Sequence, residues 1–290
     1  MTPTMKLSGK NTIVTGGSQG LGRAIVEAFL REGASVLFCA RSAADVQAAL
    51  EAYKPLLVGT AKVLGTTADV SKPADVAALF SLADQQLGPL DALVNNAGVY
   101  GPLGPTEDVP WDEWQQAIEI NLFGVMHTCR QAIPRLRARG GGKIINISGG
   151  GATNPLPRIS SYAASKAAVV RLTETLALEL AADRIDVNAV APGALNTRLV
   201  QQIIEAGPEK VGADFFAKNK KWSEEGATPP ELGAGLCVWL ASSESNGITG
   251  RLLSAQWDPW KDLAARRDEL AQSDIYCLRR IVPEDRGKKF

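Results

Sequence analysis

Short apolar runs alternate with amphipathic stretches through the first two thirds of the chain, the pattern of a parallel sheet wrapped in helices. Residues 12–14 read as the first strand and 21–31 as a helix closed by Gly33 just past its end. A second strand is expected at 35–40, a helix at 41–53, and a weaker third strand at 62–68. Pro73 opens a helix that runs to about residue 87, and a fourth strand follows at 90–95. The spacing then predicts a long helical region over 111–139, interrupted at Pro134. Gly140-Gly141-Gly142 releases the chain into a fifth strand at 143–147. A helix at 161–181, a sixth strand at 184–190, a helix at 231–242 and a final strand at 250–255 complete the pattern.

Two segments depart from this alternation. Residues 194–228 are polar, mixed and broken by Gly207-Pro208 and Pro229-Pro230, a composition that suits a mobile lid. The chain therefore reads as one domain over 1–256 and an extension over 257–290. In the extension, Trp257-Asp258-Pro259-Trp260 precedes a charged helix at about 263–271 and a basic end. Trp257, Trp260, Ile275, Tyr276, Leu278 and Ile281 are too apolar to be left in water, so this part is expected to dock on its own domain or on a neighbouring subunit.

Composition narrows the function classes. Lys+Arg and Asp+Glu balance at 31 each, which points away from nucleic acid and from membrane surfaces. The four cysteines, Cys39, Cys129, Cys237 and Cys277, form no CxxC pair, so they read as free thiols in a reducing compartment. No His, Asp and Glu cluster has metal-ligand spacing. His127 is the single histidine and reads as a packed or surface residue. The start of the chain lacks the apolar core of a signal peptide, and the expected location is the cytoplasm.

Chemistry is concentrated at two places. Thr15-Gly16-Gly17-Ser18-Gln19-Gly20-Leu21-Gly22 follows a strand and opens a helix, the context of a phosphate-binding turn. Further on, Tyr162-Ala163-Ala164-Ser165-Lys166 places a phenol and an ammonium on one helical face. An adjacent ammonium favours the phenolate, and a shift of about three units corresponds to roughly 4 kcal/mol. Such a pair can move a proton on and off an alcohol while a cofactor moves a hydride.

With these residues in view, the chain resembles the short-chain dehydrogenase/reductase family over about residues 7–255. The family's ordered motifs appear as Thr15 to Gly22, Asn95-Asn96-Ala97-Gly98, Asn121, Ser148 or its neighbour, Tyr162 with Lys166, and Pro192-Gly193. The resemblance implies an α/β, Rossmann-type doubly wound sheet of about seven mostly parallel strands, with helices on both faces and a cofactor at the strands' carboxyl ends. It implies that Gly16, Ser18, Gln19, Gly20 and Leu21 cradle the pyrophosphate and that Asp69 and Val70 contact the adenine. Asn95, Ala97 and Gly98 would lie along the nucleotide, and Val190, Pro192, Gly193 and Thr197 would frame the nicotinamide. Tyr162 would be the proton donor, Lys166 would tune it and grip the nicotinamide ribose, and Asn121 would hold a water in the relay. The resemblance also implies a homodimer or homotetramer, built through helices around 111–138 and 161–181.

Two readings stay open. At the end of the second strand, Ala40 stands where an NAD-preferring site carries an acid, and Arg41 and Ser42 follow. A guanidinium suits a 2′-phosphate, so NADP(H) is favoured over NAD(H), although Gln19 is neutral and Arg41 could be a plain surface residue. The second concerns the serine. The family's serine stands thirteen residues before the tyrosine, where this chain has Gly149, and Ser148 sits one residue earlier. Either Ser148 still reaches the carbonyl or catalysis leans on Tyr162; loss of one such donor costs about a hundred- to a thousandfold in turnover. Ser160 and Ser161 read as helix caps. The expected function is NAD(P)-dependent interconversion of a small-molecule secondary alcohol and its ketone. A 3-oxoacyl-thioester reductase, a sugar dehydrogenase and a dinucleotide-binding sensor that has lost turnover are the alternatives.

Overall fold

The computed structural model describes residues 5–195 and 198–289. Its strands are β1 (Asn11–Thr15), β2 (Ser35–Ala40), β3 (Val63–Thr67), β4 (Ala92–Asn95), β5 (Gly142–Ile147), β6 (Ile185–Ala191) and β7 (Leu252–Ser254). They form one seven-stranded sheet in the order β3-β2-β1-β4-β5-β6-β7, and every neighbouring pair is parallel.

The apolar runs are nearly unbroken because both faces of the sheet are covered. Ile13, Leu37, Leu93 and Ile144 point to one face, and Val14, Phe38, Val94 and Ile145 to the other. The first face packs on α3 (Pro73–Gln86), α5 (Gly124–Arg139) and α6 (Ser160–Glu179). The second packs on α1 (Gly20–Arg31), α2 (Ala43–Tyr53) and α9 (Pro230–Ala241). Burying one such side chain contributes about 1.5–3 kcal/mol, so a doubly covered sheet is a rigid platform for loops at its ends.

The long helical region departs from its expected shape. The break falls at Glu119–Phe123, a π-turn between α4 (Trp111–Ile118) and α5. Pro134 lies within α5 without ending it, because its ring faces solvent, where helical carbonyls can tilt toward water. The segment that composition marks as a lid is helical as well. It forms α7 (Arg198–Val211), kinked at Gly207, and α8 (Ala213–Glu225). Val200, Ile203 and Val211 are buried along it, an amphipathic stripe that the polar composition hides.

The tail folds as a 3₁₀ run at Trp260–Arg266 followed by α10 (Arg267–Ala271), where one charged helix was expected. It packs on its own domain. Trp260, Leu263 and Leu270 join the core beneath α9. The buried Arg251 guanidinium donates to the carbonyls of Ser273 (2.9 Å), Ile275 (2.7 Å) and Leu270. Leu252 N–H donates to Tyr276 O at 2.8 Å, so the tail covers the sheet's β7 edge. Among the described residues no helix is long and apolar enough to cross a membrane.

Candidate active site

From β1 the chain winds outward through β2 and β3, then returns to start β4 on β1's other side. The loops leaving the carboxyl ends of β1 and β4 therefore diverge and open a crevice. A cleft of about 1200 Å³ lies there. It is lined by Gly16, Ser18, Gln19, Gly20, Leu21, Arg41, Asp69, Val70, Ala97, Gly98, Ser148, Tyr162, Lys166, Pro192 and Gly193. Most of the residues picked out by sequence thus converge on one site.

The glycine turn is built for close approach. Gly16 has φ 66°, a left-handed conformation that favours glycine. A side chain on Gly22 would meet Gly16 O at 2.0 Å, so the first turn of α1 can press against the end of β1. The N-cap of α1, Gln19, makes no side-chain cap, and no acid occupies the first turn. The helix N-terminus keeps its N–H groups and partial positive charge for an anion. At the tip of β2, Arg41 is exposed and makes no bond among the described residues. The Ser42 hydroxyl accepts from Asp45 N–H (3.2 Å) and caps α2.

Tyr162 and Lys166 lie one turn apart on α6, both buried at the floor of the cleft. Lys166 Nζ donates to Ile147 O at 2.8 Å and stands 5.7 Å from the centre of the Tyr162 ring. Burial lowers the Lys166 pKa from 10.5 to about 8. The expectation that this ammonium depresses Tyr162 is not met in the protein alone. Burial first, and the neighbouring Tyr100 second, push the phenol up. Tyr100 packs edge-on against Tyr162, with ring centres 4.7 Å apart, and is itself raised to about 12 by burial.

Beside the phenol, an added Cβ on Gly149 would come within 2.2 Å of Tyr162 Oη. The position thirteen residues before the tyrosine is thus filled by the tyrosine's own hydroxyl. Ser148 lines the cleft, and its Oγ is buried with no hydrogen-bond partner among the described residues. A buried hydroxyl without a partner is uncommon in a native fold.

Five residues are placed differently from expectation. Asn95 does not line the cleft; its side chain donates to Asn146 Oδ1 (2.9 Å) and accepts from Thr128 Oγ1 (2.6 Å) in a buried network. Its neighbour Asn96 faces the cleft, with Nδ2 donating to Thr15 O and Gly16 O at 3.0 Å each. Asn121 also lies behind the cleft wall. Its side chain accepts from Val99 N–H (2.8 Å) and donates to Val99 O (2.8 Å) and Ser165 Oγ (3.0 Å). The π-turn aims it at the β4 loop, where it acts as a backbone clamp. Ser160 and Ser161 are clamps too, not caps: Trp114 Nε1 donates to Ser160 Oγ (3.0 Å), and Ser161 Oγ donates to Tyr100 O (3.2 Å). Val190 is buried in the core and does not line the cleft, while Thr197 lies outside the described residues.

His127 hydrogen-bonds Val70 O through Nδ1 (3.1 Å), which steadies the loop after β3. Asp69 accepts from Ser71 N–H (3.0 Å) and Ser71 Oγ (2.7 Å), fixing the same turn. Sequence reasoning missed Asn96 and Tyr100, which line the cleft together with Phe215 and Trp222 of the lid segment and Trp257 and Asp258 of the tail. For Asn96 the asparagine pair at the end of a strand was the available signal.

Comparison with known proteins gives a consistent result. A family model described as short chain dehydrogenase matches residues 10–207. A 3beta-hydroxysteroid dehydrogenase of Eggerthella lenta is 40% identical over 248 residues, covering 85% of this chain and 92% of the relative. A D-beta-hydroxybutyrate dehydrogenase of Cupriavidus necator is 33% identical over 254 residues, covering 85% of this chain and 96% of the relative. A crystal structure of a short-chain type dehydrogenase/reductase from Mycobacterium marinum superposes with a TM-score of 0.75 at 31% identity, covering 87% of this chain and 95% of that one.

Proposed function

The chain belongs to the short-chain dehydrogenase family, and on that premise we propose that it is an NADP(H)-preferring oxidoreductase that interconverts a secondary alcohol and its ketone. The observation that carries the reading is the buried Tyr162–Lys166 pair on the floor of the cleft that the glycine turn also lines. The relatives' names, which cover a hydroxysteroid and a hydroxybutyrate, support a CH–OH substrate.

The donor set fits a nicotinamide dinucleotide. The open N-terminus of α1 offers N–H groups to a pyrophosphate, the unpaired Arg41 suits a 2′-phosphate, and no acid stands at Ala40 to repel one. The nicotinamide would supply the hydride. Lys166 would meet its ribose, while Asp69, Val70, Ala97, Gly98, Pro192 and Gly193 would hold the rest.

The chain's own groups handle the oxygen. In the reduction direction Tyr162 Oη gives its proton to the carbonyl oxygen as the carbon accepts the hydride, so one C–H and one O–H bond replace the C=O π bond. Ser148 Oγ donates a hydrogen bond to the same oxygen, which is the use we assign to its orphaned hydroxyl. Lys166, lowered to about 8 by burial, stands close enough to neutrality to pass a proton back toward the phenol. Asn121 holds the β4 loop and α6 in register through Val99 and Ser165. A homo-oligomer through α4, α5 and α6 belongs to the same proposal, supported by the exposed Trp111, Phe123, Met126 and Leu178.

The test is titration with NADPH and NADH, followed by nicotinamide fluorescence, on wild type, Arg41→Ala and Tyr162→Phe. Tighter NADPH binding that collapses in Arg41→Ala, with Tyr162→Phe binding normally but turning over no alcohol or ketone, is expected. Preference for NADH, or turnover surviving in Tyr162→Phe, overturns the corresponding part.

A further inference from the structure

The cleft has two halves. The ends of β1, β2 and β3 carry the glycine turn, Arg41 and Asp69, whereas the other side of Tyr162 is walled by α8 and by the start of the tail. Trp257 stands on that second wall with 77% of its surface exposed. Its backbone is nevertheless fixed. Ser254 N–H donates to Asp258 Oδ2 (2.7 Å), Trp257 N–H to Ser254 Oγ (3.3 Å) and Asp258 N–H to Ser254 O (3.3 Å). Three residues on, Trp260 is buried and donates through Nε1 to Ala255 O at 3.2 Å. The turn is thus pinned at both ends, and it holds a large indole in water at the rim of a cleft. An exposed tryptophan on a rigid turn gains free energy from whatever covers it.

α8 supplies two more aromatic faces, Phe215 and Trp222. Besides Lys166, the charged side chains lining this half, among the described residues, are Lys218 and Asp258, one of each sign. The Lys218 ammonium already lies 4.9 Å over the Trp222 ring, a cation–π contact that a carboxylate ligand would have to disturb. The wall therefore offers flat apolar area and little net charge.

Resting on the oxidoreductase reading above, we infer that the substrate is a neutral, fused-ring secondary alcohol or its ketone, and that Trp257 is the tail's specificity-determining contact with its ring face. Small anionic hydroxy acids are disfavoured, because they cover none of this surface.

The experiment uses the full chain with NADPH and the series cyclohexanone, 2-decalone and a tetracyclic 3-oxosteroid, with acetoacetate as the small anion. In wild type kcat/KM is expected to rise with ring number. Trp257→Ala should lower it about tenfold or more for the fused-ring ketones, through KM, and leave cyclohexanone and acetoacetate unchanged, with Trp257→Phe recovering most of the loss. A better rate with acetoacetate than with any fused-ring ketone overturns the inference, as does an equal effect of Trp257→Ala on all four. If no ketone is turned over, the oxidoreductase reading fails separately. Quenching of tryptophan fluorescence by the steroid, present in wild type and lost in Trp257→Ala, would then still support the aromatic platform, and its absence would overturn it.

Discussion

A single methyl group on residue 149 tests how the phenol is seated. Gly149 has φ −173° and ψ 176°, extended backbone open to any residue, so Gly149→Ala carries no conformational penalty. Its Cβ, however, would stand 2.2 Å from Tyr162 Oη and 3.1 Å from Cζ, so the phenol must retreat by about 1 Å to restore contact distance. A displacement of that size at a reacting group costs on the order of a hundredfold in rate, or about 2.7 kcal/mol in the barrier. The assay is kcat for ketone reduction beside NADPH affinity by fluorescence and the urea midpoint. We expect kcat about a hundredfold down, with affinity and midpoint close to wild type. Gly150→Ala is the internal comparison, since its Cβ would meet nothing within 4 Å. Wild-type turnover in Gly149→Ala, with Tyr162→Phe still inactive, would refute the reasoning, because the phenol would then not be pinned against residue 149.

Two further predictions concern stability. Lys166 is lowered from 10.5 to about 8 by burial; both states are protonated below pH 8, and between pH 8 and 10.5 the unfolded chain holds a proton that the fold has shed, so stability rises with pH there. Lys166→Met should abolish that rise and be more stable at pH 7 by on the order of 3 kcal/mol; parallel urea-derived stabilities for the two proteins at pH 7 and 9.5 would contradict it. Lys143 and Asp186 form a largely buried ion pair at 2.6 Å, and burial outweighs Asp186 in lowering the lysine's pKa. Asp186→Ala leaves that ammonium unpaired and should cost about 3 kcal/mol, much of it recovered in Lys143→Met/Asp186→Leu; a loss under 1 kcal/mol by chemical denaturation would count against it.

The parts of the fold that declared themselves in sequence are those in which one physical signal dominates. Doubly covered strands read as apolar runs, and the Tyr162–Lys166 spacing fixes a shared face whatever surrounds it. Where two signals compete, sequence misleads. Pro134 looks like a break, but a solvent-facing ring lets α5 continue, while the real irregularity at Glu119–Phe123 has no residue that announces it. Asn95 and Asn96 are chemically identical, and only the end of β4 decides that the first is buried and the second faces the cleft. The lid's helices hide an apolar stripe in a polar average. The pull of Lys166 on Tyr162 is legible as a pair, yet the opposing cost of burial depends on Tyr100 and on depth, which no local window contains.

Arg251 holds the tail almost entirely through main-chain carbonyls, those of Leu270, Ser273 and Ile275, rather than through tail side chains, with the Cys277 thiol as the exception. Such a grip is blind to most of the tail's sequence. Substitutions across that stretch can accumulate without loosening it, provided the path of the backbone is kept, whereas the turn that presents Trp257 is tied by side chains and is not free to drift. The extension thus combines a strap that tolerates substitution with a corner that does not, and it is the corner that the proposed ligand would meet. New ligand preferences in relatives of this chain should arise by exchanging the corner while the strap stays where it is.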